Sequence, residues 1–253
     1  MITLHDWLAR APFGLAMSSG FFAFYAHTGM LSALINRGLV PAHVAGSSAG
    51  ALVGGAWAAG LPPDELAEVL RRLERADFWD PTLGAGLLAG KKFDALLRGI
   101  LPVATFEACR VPVRISAFDI WRRQTSVLER GDLADAIRAS CAVPAMFQPV
   151  RIEGRPYWDG GILDRPGLAG VPAGRVLFHH IASRSPWRRR GSASLALPAR
   201  ADLVSLVIDA LPRVNPFRLD AGRQALAIAR EATERALDQA ITDDVVRISR
   251  AGW

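Results

Sequence analysis

Five residues constrain this chain more than any others: Gly46, Ser47, Ser48, Ala49 and Gly50. They match G-x-S-x-G, follow the apolar run 44–46 and open a helical stretch over 48–59. Gly60, Pro62 and Pro63 stop that stretch. A serine on so tight a strand-to-helix turn needs small neighbours, and Gly46 and Gly50 supply them. The helix beginning beneath it offers free backbone N–H groups and the positive end of its dipole. Both favour the negative charge that develops in acyl transfer. A glycine- and serine-rich turn also suits a bound phosphate. Ser48 is the candidate nucleophile.

The segments around this turn set the fold class. Residues 13–18 read as a buried strand. A helix follows over 24–37 and ends at Gly38, before the strand at 44–46. Strand, helix, strand is a βαβ unit, which implies a parallel sheet. Further helices are expected over 63–76, 93–100 and 132–139, and a long amphipathic one over 221–241. The first of these sets Leu66, Val69, Leu70 and Leu73 on one face and Arg71, Arg72 and Arg75 on the other. Strands are expected over 111–120, 124–129, 175–181 and 245–249. Segment 77–90 reads as irregular and 183–194 as a loop. The chain has 253 residues and no repeat or linker, so one α/β domain over 1–253 is expected.

A nucleophilic serine needs a base. The histidines after Ser48 are His179 and His180, inside an expected strand. Neighbouring strand residues face opposite ways, so at most one can face a site. They read as structural, one buried and one exposed. His5, His27 and His43 precede the turn and would make an unusual order for a triad. Asp159 is the better candidate base. It follows Tyr157 and Trp158, and Gly160 and Gly161 beside it permit close backbone approach. An ordinary Asp-Gly-Gly turn is the plain alternative, and Asp164 is a rival carboxylate.

Composition bounds the rest. Thirty Lys+Arg against 24 Asp+Glu give a net charge of +6, almost all of it arginine. Such a balance suits nucleic acid, an anionic membrane or an acidic partner, or simply reflects solubility. No nucleic-acid partner is expected. The segment 187–190, a tryptophan before three arginines, suits either an anionic lipid surface or plain exposure to solvent. Two cysteines, Cys109 and Cys141, are too few for a disulfide framework and lack metal-ligand spacing. No metal or cofactor is expected. Residues 1–13 do not read as a signal peptide, and no run of about 18 apolar residues marks a membrane span. A cytoplasmic protein, peripheral to a membrane at most, is expected. Oligomeric state is left open.

Gly46 to Gly50 followed by Asp159-Gly160-Gly161 resembles the Ser-Asp dyad of patatin-like phospholipases. Two more segments are similar to blocks of that family. One is 15–20, followed by Tyr25, His27 and residues 29–31, like the N-terminal oxyanion block and its helix. The other is 136–144, like the segment leading to the catalytic aspartate. The four blocks stand in the family's order over 13–166.

The resemblance implies a three-layer α/β/α sandwich with a mostly parallel central sheet. It also implies a lipid acyl hydrolase in which Ser48 is nucleophile and Asp159 base. Its oxyanion donors would be the backbone amides of Gly20, Phe21 and Ala49, and its substrate an acyl lipid or ester. Phe21, Phe22, Phe24 and Tyr25 suit an acyl-chain pocket or core packing equally. Burial would raise the Asp159 pKa toward the working pH.

The oxyanion block departs from the family's glycine triplet and basic residue. Phe21 and Phe24 stand where two glycines are usual, and Ala23 where the basic residue is usual. Phe21 is thus expected to take a dihedral that suits glycine. A non-catalytic binding protein on the same fold and a Ser-His-Asp esterase are the alternatives.

Overall fold

The runs at 13–18 and 44–46 lie side by side, and the rest of the sheet grows outward from them. The structure is a computed structural model that describes residues 2–182 and 195–249. The loop expected over 183–194, with its Trp187–Arg190 segment, lies outside the described residues. The elements are α1 (Leu4–Ala9), β1 (Gly14–Met17), α2 (Phe24–Asn36), β2 (His43–Ser47), α3 (Ala49–Ala58), α4 (Pro63–Arg72), β3 (Gly86–Leu88), α5 (Lys91–Ile100), β4 (Val113–Asp119), β5 (Gln124–Leu128), α6 (Leu133–Ser140), β6 (Ala145–Phe147), β7 (Val150–Ile152), β8 (Arg155–Asp159), β9 (Val176–His180), β10 (Leu203–Ile208), α7 (Leu219–Leu237) and β11 (Val245–Ile248).

Among the described residues, β11, β10, β9, β1, β2 and β4 pair in that order and all run parallel. β5 and β8 join β4 antiparallel, and β7 joins β8. β3 and β6 form a separate parallel ribbon. This is an α/β fold with a mostly parallel central sheet, as expected.

Register at β4 positions the site. β5 takes one edge of β4 over residues 115–119. β2 pairs with residues 113–116 and β8 with residues 117–119, so these two share the other edge, end to end. The end of β2 therefore meets the end of β8. Ser47 lies opposite Ser116, and Asp159 opposite the next residue, Ala117.

Both faces of the sheet are covered, which is why its strands are apolar throughout rather than alternating. Leu15, Met17, Leu177 and Leu206 point into a core shared with α2, α3, α4, α6 and α7. Ala16, Val176, Phe178 and Leu203 point the other way, against Leu168, Val171 and Leu197. In α2, Tyr25, Met30, Leu31 and Leu34 are fully buried. Each such side chain is worth about 1.5–3 kcal/mol.

Several differences from the expected elements have local causes. His179 and His180 are both buried, because neither sheet face is open to solvent. The long helix runs Leu219–Leu237 and stops short of 241, where Ile241 instead hydrogen-bonds back to Ile2. Segment 77–90 holds the β3 strand, formed by pairing with β6 across a long gap in sequence. β10, a wholly buried LVSLVI run, has no counterpart among the strands read from the sequence.

Candidate active site

Ser48 sits between β2 and α3 with φ 53° and ψ −116°, a region that L-residues rarely occupy. The crossing forces that angle. A Cβ on Gly50 would stand 2.1 Å from the Met17 carbonyl oxygen, and one on Gly46 would stand 2.4 Å from the Gly50 backbone. Only glycine fits at either position. The strained turn is held by contacts from the neighbouring α6. The Ser48 amide donates to Ser140 Oγ (2.8 Å), and the Ser140 hydroxyl donates to the Ser116 carbonyl (2.7 Å). Cys141 Sγ donates to the Ser48 carbonyl at 3.2 Å. Burial, then the Asp159 charge, push the Cys141 thiol well above its ordinary range, so it stays protonated.

The Ser48 hydroxyl donates to Asp159 Oδ2 at 2.7 Å, and both residues are buried. The other carboxylate oxygen, Oδ1, accepts from the Gly161 amide at 2.8 Å. The Asp159 amide donates to the Ala142 carbonyl at 2.9 Å, which ties the carboxylate to the 136–144 block. Gly160 passes against the Ser116 carbonyl and Gly161 against the Ser19 side chain, each too close for a Cβ. Asp164 is turned to other work. Its carboxylate accepts from Ser116 Oγ (2.6 Å) and from the amides of Gly167, Leu168 and Ala169.

The second strand-to-helix crossing, from β1 to α2, lies alongside. The amides of Gly20, Phe21 and Ala49 have no hydrogen-bond partner among the described residues, and all three residues line the same cavity as Ser48 and Asp159. The strained residue is not the expected one. Phe21 does not take a positive φ; Phe22 does, at 55°. The Phe22 ring packs near Phe21, Phe24 and Phe78, at centroid distances of 5.0, 5.3 and 5.8 Å, and these contacts hold the strain in place.

The base of this crossing is anchored by two residues whose structural part the sequence did not disclose. His27 Nε2 hydrogen-bonds the Ser18 carbonyl at 2.8 Å, and His27 Nδ1 lies 2.8 Å from His179 Nδ1. A carbonyl only accepts, so His27 carries its proton on Nε2. His179 Nδ1–H must then donate to His27 Nδ1. Both rings are fully buried and neutral. Burial foremost holds His27 down at about 4 and His179 well below the usual histidine range. Arg165, also buried, accepts the Ser19 amide on its carbonyl at 2.7 Å and sends its guanidinium to the Ile181 carbonyl.

Beyond the Ser48–Asp159 pair opens a cavity of about 200 Å³ with an overwhelmingly apolar wall. Phe21, Phe22 and Phe24 contribute to it, whereas Tyr25 is core. The apolar face of α4, Leu66, Val69, Leu70 and Leu73, forms one side. Phe93, Leu96 and Ile100 of α5 form another. Among the described residues no His, Cys, Asp and Glu cluster has the make-up of a metal site, and no helix is long and apolar enough to cross a membrane.

An α/β sheet that sets a strained serine against a buried aspartate defines the class of protein. Comparison with known sequences then supplies the family. The sequence profile described as patatin-like phospholipase matches residues 15–171, more than half of the chain, and the chain belongs to that family. An uncharacterised NTE-family protein of Mycobacterium tuberculosis is 38% identical over 161 residues, and a Mycobacterium bovis counterpart matches equally. Those matches take in 62% of this chain and 44% of each relative, so the chain spans less than half the length of either. Among solved structures, VipD from Legionella pneumophila aligns over 90% of this chain and 67% of its own, with a TM-score of 0.64 at 14% identity. That likeness bears on the fold.

Proposed function

We propose that this protein is a lipid acyl hydrolase that cleaves carboxylic esters through a Ser48–Asp159 dyad. The observation that carries the reading is the 2.7 Å hydrogen bond from Ser48 Oγ to Asp159 Oδ2 at the wall of an apolar cavity. Ser48 Oγ attacks the ester carbonyl while its proton passes to Asp159. The tetrahedral oxyanion is met by the amides of Gly20, Phe21 and Ala49 and by the N-terminus of α3. Asp159 returns the proton to the departing alcohol, leaving an acyl-enzyme. Asp159 next takes a proton from water as it attacks the acyl carbon, then passes that proton to Ser48 Oγ as the acyl–oxygen bond breaks, which releases the carboxylic acid and restores Ser48. The cavity receives the acyl chain, and its apolar wall favours lipid over small polar esters.

No histidine enters this scheme. His179 is spent on His27 on the helix side of the sheet, and His180 points to the opposite face beside Phe178. A fluorophosphonate probe and a series of p-nitrophenyl esters test the reading. Wild type should be labelled and should prefer longer acyl chains. Ser48→Ala should abolish labelling, and Asp159→Asn should abolish turnover. An unlabelled wild type, or loss of turnover in His179→Ala with Asp159→Asn still active, overturns it.

A further inference from the structure

Seven large hydrophobic side chains are exposed among the described residues: Val40, Leu83, Leu87, Trp121, Ile162, Leu163 and Phe217. Their distribution is uneven. Val40 precedes β2, at the end of the sheet away from Ser48. The other six lie at the Ser48 end of the sheet, and all of them but Trp121 are on segments that adjoin the cavity wall. Trp121 tops the β4–β5 hairpin, beyond the level of Asp159. Phe217 follows β10 and meets the Trp79 ring edge-on at a centroid distance of 5.7 Å, next to the cavity residue Phe78. Leu83 lies in the turn before β3 and Leu87 within β3, whose ribbon partner β6 supplies Met146 and Phe147 to the cavity wall. Ile162 lines the cavity while exposed, so it stands at the opening, with Leu163 beside it. Exposed apolar surface gathered this way marks an interaction site.

The two most prominent tips are held rigid by polar contacts. Leu83 is 98% exposed, yet its turn is pinned by Gln148. That side chain accepts from the Ala85 amide at 3.1 Å and donates to the Gly86 carbonyl at 2.7 Å. Trp121 is 66% exposed, and Asp119 Oδ1 accepts from the amides of both Trp121 and Arg122 at 3.0 Å. Basic residues flank both tips. Arg122 and Arg123 follow Trp121, and neither is ion-paired with another described residue. Lys91 and Lys92, the chain's only lysines, follow Leu87. Arg75 lies under the Phe217 and Trp79 rings. Of the exposed acids at this end, Glu74 and Asp77 cap each other's backbone, Asp220 sits in the first turn of α7, and Glu153 in the β7–β8 turn has Arg151 and Arg155 on either side.

We propose that this rim is the surface on which the protein rests on an anionic phospholipid bilayer. Trp121, Leu83 and Leu87 enter the headgroup–acyl boundary, and Arg122, Arg123 and Lys91 meet lipid phosphates, while Lys92 Nζ donates to the Ala76 carbonyl at 2.7 Å. The charge excess selects an anionic partner. The cavity mouth at Ile162 selects a lipid surface, since a protein seated there would cover the route to Ser48. The inference rests on the reading of the cavity as an acyl-lipid site.

Sedimentation of the full chain with vesicles tests it, in a Ser48→Ala background so that no lipid is cleaved. Vesicles of phosphatidylcholine alone are compared with mixtures containing phosphatidylglycerol. Binding should be at least about tenfold stronger to the anionic mixture, should weaken with added salt, and should fall roughly fivefold for each of Arg122 and Arg123 changed to Ser. The double variant Leu83→Asp, Trp121→Ala should lose about tenfold or more in binding. With Ser48 restored, it should still hydrolyse soluble p-nitrophenyl butyrate at the wild-type rate. The proposal is overturned if the rim variants bind as wild type does, or if Trp187→Ala removes binding and the rim changes do not. It is also overturned if the rim instead pairs two copies in solution. Ester cleavage by a protein that ignores both vesicle types removes the docking surface alone. Anionic vesicle binding by a protein that cleaves no ester removes the hydrolase reading alone.

Discussion

Two strand-to-helix crossings stand side by side at the end of this sheet, and they are built on different principles. The β2–α3 crossing is a single strained residue, Ser48, fixed by backbone crowding that only Gly46 and Gly50 tolerate. The β1–α2 crossing is longer and carries three phenylalanines where the first carries glycines. It is held by contacts from distant residues: the Phe22 ring cluster with Phe78, the Arg165 carbonyl that accepts the Ser19 amide, and the buried His27–His179 pair. Distant residues brace both, Ser140 and Cys141 the first and Arg165 and His179 the second. Only the first also depends on backbone crowding that excludes every residue but glycine at two positions, so the second tolerates more sequence change as long as its anchors stay.

The contrast can be broken from either side. The largest effect should follow from the nucleophile. Ser48→Ala should lower kcat for a p-nitrophenyl ester by about a thousandfold or more while leaving the denaturation midpoint near wild type. Next comes the backbone that carries it. Gly50→Ala drives a methyl into the Met17 carbonyl, and should cost about 4 kcal/mol or more in a urea titration.

The second crossing should fail through pH. His27 has a folded pKa of about 4 against an ordinary 6.5, so between those values the unfolded chain binds more protons. Its contribution is complete above pH 6.5 and is lost as pH falls toward 4, by roughly 3 kcal/mol. Urea midpoints measured across that window should fall steeply, and His27→Gln should flatten the fall. The smallest change should come from Phe22→Gly, which relieves a positive φ but opens the cavity wall. It should reduce kcat/KM for a lauroyl ester by about tenfold relative to a butyryl ester. An equal loss on both esters would assign Phe22 to the oxyanion turn rather than to the acyl wall.

The elbow was readable because its constraint is local. A serine between Gly46 and Gly50, after an apolar run and before a helix, satisfies a steric requirement that lies within five residues. The βαβ unit and the apolar face of α4 were readable for the same reason, since a side-chain period repeats along the chain. Asp159 could be nominated from its glycines and from the family resemblance, but its contact with Ser48 spans 111 positions. That contact depends on β8 taking the edge of β4 that β2 leaves free, a choice of register that no local pattern encodes. The same limit hid β3, which forms only against β6, and the burial of both His179 and His180, which needs a cover on each sheet face. It also moved the strain from Phe21 to Phe22. Glycine codes for a backbone angle where it stands. A phenylalanine at positive φ is recognised only from the Phe21, Phe24 and Phe78 rings that hold it there.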